Sequence, residues 1–199
     1  MDKSHEMKSS SSTKGKKNNA PKADWLAYGI ITLVAIGVKA AGMWAADNIE
    51  LGVAAQEKPY STFESFYPFY LSQHEDTSCR RLHFVGTSLV ILYSLVDFRI
   101  GLSLLPAGLL GLGLVPLLMD VPHGFFEMAA MVLAFLLCVI STTGSVKHGV
   151  ICLLIGYSFA WVGHFFFELN RPATFIYPTY SLLGDFRMWF EMATGARAF

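Results

Sequence analysis

Hydrophobic residues in this 199-residue chain gather into five runs, at about 25–46, 84–96, 100–118, 125–143 and 149–168, separated by short polar stretches. None of them shows the alternation of a barrel strand. An open sheet in lipid would leave backbone groups unpaired, so each run predicts a helix. A full crossing needs about 20 residues, and the shorter runs must therefore borrow flanking residues or tilt. Two further stretches, STFESFYPFYLSQHE within 47–83 and YSLLGDFRMWFEMATG near the C-terminus, interleave aromatic and polar residues. They read as helices lying in the interface, with aromatics at headgroup level. The expected fold is an all-α integral membrane helical bundle with interfacial amphipathic helices.

Composition supports this, since 53% of residues are hydrophobic and 15% charged, against about a quarter charged in an average soluble domain. Lysines and arginines balance aspartates and glutamates at 15 each, and no basic stripe with aromatics argues for nucleic acid. The lysines are unevenly placed. Residues 1–22 form a Lys- and Ser-rich leader with too little apolar surface to fold. A hydrophobic segment, 23–46, follows it, and no small-residue cleavage site suggests that this segment is removed. The remainder, 47–199, reads as the membrane domain. Cys79, Cys138 and Cys152 are scattered and odd in number, which indicates neither a disulfide framework nor a thiolate zinc site; they read as apolar fillers.

If the last four runs each cross once, the chain returns to its starting side between His83 and His164. That side carries Lys58, Arg80, Arg81, Arg171, Arg187 and Arg197, whereas the opposite loops hold Arg99 and Lys147. The positive-inside rule then makes the first side cytoplasmic. The leader lysines also favour the cytoplasm, which conflicts with one full crossing by 25–46. Lys39 near the middle of that run suggests an interfacial or re-entrant segment instead.

Two polar clusters abut these runs on the shared side. One is His74-Glu75 with His83; the other is His164 with Glu168. Imidazoles and carboxylates are expensive to hold beside hydrocarbon unless something binds them. His164 and Glu168 are four apart and would share a helix face. His74 and His83 are nine apart, which on an unbroken helix would separate them, but Asp76-Thr77-Ser78 supplies a break and an N-cap. Three imidazoles and a carboxylate could then surround one ion, with Glu75 as a further oxygen ligand or a partner to one. That donor set suits Fe(II), Zn or Mn, so His74, His83, His164 and Glu168 are the candidate metal-binding and catalytic residues.

Each of these features also has a plainer explanation. A histidine at a helix end is often only hydrogen-bonded, which is the reading for His123 and His148. Arg80, Arg81 and Arg171 could hold a substrate carboxylate or snorkel to lipid phosphate. Gly86, Gly156 and Gly163 would allow close helix packing. Paired-histidine haem ligation has no C-x-x-C-H motif to support it.

The segments FYPFYLSQHEDTSCRRLHFVGT and YSFAWVGHFFFELNRPATFIYPTYSLLGDFRMW resemble the two halves of the family named for the metabolism of phytosphingosine to odd-numbered fatty acids, over about 60–96 and 148–192. The paired motifs are His74 with His83, and Gly163-His164 to Glu168 followed by Pro172-Ala173. The resemblance implies an iron(II)-dependent dioxygenase of the endoplasmic reticulum membrane that shortens 2-hydroxy fatty acids by one carbon. Its partners would be a fatty-acyl substrate, dioxygen and membrane lipids, and His74, His83 and His164 would be iron ligands. Cys79 stands where the characterised branch tends to have Asn. Residues 101–147 have no counterpart in the resemblance and read as an added helical hairpin. The reading from another class is a non-catalytic lipid-binding or scaffold protein whose His and Glu residues fasten helix ends.

Overall fold

The computed structural model describes residues 22–48 and 58–199. Apart from Lys22, the leader expected to be unfolded lies outside the described residues. Seven α-helices and no strand are present among those described: α1 Trp25–Asn48, α2 Phe63–Ser72, α3 Thr77–Val96, α4 Phe98–Leu117, α5 Phe125–Thr143, α6 Val146–Val162 and α7 Pro178–Ala193. α6 continues into a π-helical turn, Gly163–Glu168. Four helices, α1, α4, α5 and α6 with its π extension, are long and apolar enough to cross a membrane. Large apolar side chains cover their outer faces, among them Leu33 at 69% exposure and Leu154 at 63%, as lipid contact requires.

α3 begins seven residues before its apolar run because Asp76 caps it, accepting from the amides of Ser78 and Cys79 at 2.6 and 3.0 Å. It pairs with α6, and a Cβ on Gly86 would stand 2.8 Å from Phe159. One residue, Asp97, links α3 to α4, and Gly144, in the left-handed region at φ 75°, begins the short link from α5 to α6. Both links lie at one end of the bundle, where Arg99 of α4 donates to the Thr142 carbonyl at 3.1 Å.

α1, where Lys39 suggested an interfacial or re-entrant segment, is a single unbroken 24-residue helix. It starts at the link end, where the Asp24 amide donates to Ser141 and the Tyr28 hydroxyl to Leu102. It leaves at the other end packed on α4. Glycines permit that approach: a Cβ on Gly113 would lie 2.6 Å from the Lys39 Cα.

The two short aromatic helices pack on each other at the end opposite the links. Phe66, Tyr67 and Tyr70 of α2 are buried against Tyr177, Tyr180, Met188 and Met192, so many of the aromatics turn inward. Buried polar groups fasten this cap to the spans. Glu127 of α5 accepts from the Thr179 amide at 2.8 Å, closing the start of α7 from a neighbouring helix. Lys58 donates to the Leu118 carbonyl and lies over the Tyr177 ring.

Candidate metal centre

The chain turns between α2 and α3 over Gln73–Asp76, and three side chains from elsewhere hold that turn. Glu168 accepts from the Asp76 amide at 2.6 Å, Asn170 donates to the Gln73 carbonyl at 3.1 Å, and Arg80 donates to the carbonyls of His74 and Glu75. His74 is thereby fixed just before the cap of α3. His83 follows two turns into that helix. His164 arrives from α6, brought close because Gly163 has no side chain: a Cβ there would lie 2.9 Å from the Cys79 sulfur.

The result is a triangle of buried imidazoles, 2%, 5% and 3% exposed for His74, His83 and His164. Ring centroids lie 4.5 Å apart for His74 and His83, 4.7 Å for His74 and His164, and 5.0 Å for His83 and His164. Each ring has its Nδ1 committed. That of His74 faces the Tyr70 carbonyl at 2.7 Å, that of His83 the Asp185 carboxylate at 2.5 Å, and that of His164 the Asn170 Oδ1 at 2.7 Å.

These partners decide the tautomers. A carbonyl and a carboxylate only accept, and Asn170 uses its nitrogen on Gln73, so it presents oxygen to His164. All three Nδ1 atoms therefore carry hydrogen, and Nε2 is the nitrogen that bears the lone pair in each neutral ring. The Nε2 atoms of His74 and His83 are buried without any hydrogen-bond partner, an arrangement costly to maintain unless something occupies it. Burial, followed by the neighbouring imidazoles of His83 and His164, pushes the His74 pKa down to about 3, which keeps the ring neutral and able to donate its lone pair. Burial would raise the Asp185 carboxyl, but His83 and the Tyr70 hydroxyl outweigh it and hold the carboxyl below its usual range. Tyr70 donates to the same oxygen at 2.6 Å.

The three histidines and Cys79 each offer a ligand atom, all within 4.8 Å of one another. Imidazoles backed by carboxylate, amide and carbonyl acceptors are the usual surroundings of a bound transition metal. The structure brings His74, His83 and His164 together and engages Glu168 elsewhere, on the amide of Asp76. A π turn is wider than an α turn, so Gly163–Glu168 does not keep the one-face relation of an ordinary i, i+4 pair. Glu75 is exposed. Arg80 is spent on backbone carbonyls and Arg81 is exposed. Arg171 lies 5.0 Å from the Phe175 ring centre.

The triad lines one end of an apolar cavity between α3, α4, α5, α6 and α7, with Leu104, Met131, Phe135 and Leu153 among its walls. None of Arg80, Arg81 and Arg171 lines it. Ser181 does, and its buried hydroxyl has no partner. Gly156 lines the cavity too, leaving space rather than closing a helix contact.

The family described as Mpo1-like, 2-hydroxy-palmitic acid dioxygenase Mpo1-like, matches residues 60–197. The chain belongs to the Mpo1-like family. The match takes in every residue of the triad and its supports, and it encloses the 101–147 segment; α1 lies outside it. No curated protein and no solved structure matches the chain.

Among the members of this Mpo1-like site, the sequence did not single out Asp185, Asn170, Tyr70 or Ser181, and Cys79 read there as an apolar filler. Asp185 had little signal, being one of three charged residues in α7 beside Arg187 and Glu191. Asn170 had none, because its role depends on a turn 97 residues away.

Proposed function

We propose that this membrane protein is an iron(II)-dependent dioxygenase that shortens 2-hydroxy fatty acids by one carbon. The observation that carries the proposal is a triangle of three buried imidazoles with Nδ1 committed on each and the Nε2 atoms of His74 and His83 buried without a partner, lining an apolar cavity. In this reading His74, His83 and His164 hold the ion, and bound iron would supply the redox chemistry with dioxygen. Asp185, Asn170 and the Tyr70 carbonyl keep the rings in place and in the correct tautomer. Ser181 offers a hydroxyl to a substrate oxygen, and the apolar walls take the acyl chain and exclude water. The location is the endoplasmic reticulum membrane, by the family resemblance. The six cations at the triad end favour a cytoplasmic site face, although the leader lysines, joined to α1 at the link end, pull the other way.

A second reading has Cys79 on its side. Three imidazoles and one thiolate would close a four-donor zinc site with no open position, giving a structural metal and no catalysis.

Anaerobic loading with Fe(II), followed by oxygen and a long-chain 2-hydroxy acid, should release an acid one carbon shorter. An acid without the 2-hydroxyl should react far more slowly, and Zn(II) in the same ligands should give no turnover. Stoichiometric iron without oxygen consumption would overturn the reading and leave the structural metal.

A further inference from the structure

The cavity ends against packed side chains. Its lining farthest along the helices from the triad includes Val90, Leu104, Phe135 and Cys152. One turn nearer the links, Ile100 and Val139 are packed at 1% and 0% exposure in one hydrophobic cluster with Phe135 and Cys152, while Val90 and Leu104 also border a second apolar cavity on the α3–α4 side. Ile100 lies one turn past Leu104 on α4, and Val139 one turn past Phe135 on α5, both toward the link end. The triad, Ser181 and Asp185 stand at the other extreme, with Thr87 and Tyr157 partway along.

We propose that this cavity is a slot of fixed depth for one unbranched acyl chain, with its head at the triad and its methyl end against the Phe135–Cys152 floor, so that the protein selects its acid by length. This rests on the fatty-acyl reading above. Along α6 the slot runs from His164 to Cys152, twelve residues or roughly 18 Å at 1.5 Å per residue. A zigzag of carbon–carbon bonds advances about 1.25 Å per carbon, so that depth takes roughly 14 carbons. Gly156 stands partway, eight residues or roughly 12 Å from His164. A Cβ there would meet nothing nearer than Val90 at 3.7 Å, so a larger side chain fits without disturbing backbone and projects into the slot.

The test is displacement of a fluorescent fatty acid from the full chain in lipid nanodiscs by 2-hydroxy acids of increasing length, with zinc in the site to prevent turnover. Affinity should rise about fourfold per added methylene, then stop rising at roughly 14 to 16 carbons, the depth set by helix rise. In Gly156→Leu the break should move to roughly 10 carbons, with metal content unchanged. Phe135→Ala should move it to longer acids; should that variant fail to fold, Gly156→Leu carries the test alone. Binding with no break, or with the same break in wild type and Gly156→Leu, overturns the slot while leaving a fatty-acyl site standing. Failure of every acid to displace the probe overturns both.

Discussion

Both ends of the bundle place histidine at the junction of helices, and only one of them makes a site. At the link end, the Nδ1 of His148 meets the Tyr93 hydroxyl at 2.9 Å, and nearby Arg99 forks onto Asp97 and reaches the Thr142 carbonyl. His148 is half-buried, and among the described residues no second imidazole stands against it. At the triad end, each of three rings spends one nitrogen on an acceptor, and the rings crowd together with a ligand atom of each within 4.8 Å of the others. The difference is what remains unsatisfied. A histidine whose contacts fasten two helices is structural; buried nitrogens left bare together are a place for a ligand.

The sharpest way to break this contrast is to remove one ring from each end. His164→Ala should abolish most metal occupancy, a larger loss than the about 10- to 100-fold typical of a residue behind a ligand, whereas His148→Ala should leave the metal content of purified protein unchanged. Equal metal in wild type and His164→Ala would make the two ends equivalent. Asp185→Asn is the intermediate case. It keeps the shape behind His83 but removes the charge that favours Nδ1–H, and should weaken metal binding about tenfold in a chelator competition; unchanged affinity would reduce Asp185 to a packing group. The smallest effect belongs to Glu168→Gln. The amide oxygen can still accept from Asp76, so metal content should hold and thermal stability should fall by no more than about 1 kcal/mol. A loss of metal like that of His164→Ala would make Glu168 a ligand.

Much of the bundle was legible in the hydrophobic pattern. The run at 125–143 coincides with α5, and that at 100–118 with α4 to within two residues, because spans are selected by continuous apolar length and little else competes. The Asp76 break was visible for a similar reason: N-capping is local chemistry that a side chain performs on the next few amides. The site divided along the same line. Triad residues stood out as costly groups beside apolar runs. Glu168 followed a 3.6-residue period that the π turn does not keep, and nothing in GHFFFE announces a π turn. Cys79 looked like filler because its neighbours, Gly163 and the triad, come together only when α3 meets α6. α1 was obscured by Lys39, whose position allows a span because its backbone packs on Gly113 while its side chain is only half-buried.

In the proposed slot, the packed layer beneath the cavity would make substrate and product unequal even before chemistry is considered. If the head is held at the triad and the chain end rests on the layer over Ile100 and Val139, an acid shortened by one carbon would not fill the depth its precursor filled. It leaves a methylene-sized void against Phe135, and each methylene withdrawn from burial forfeits about 0.8 kcal/mol, or roughly fourfold in affinity. Product departure would then be favoured by a hole at the far end of the tunnel, some 18 Å from the bond that broke.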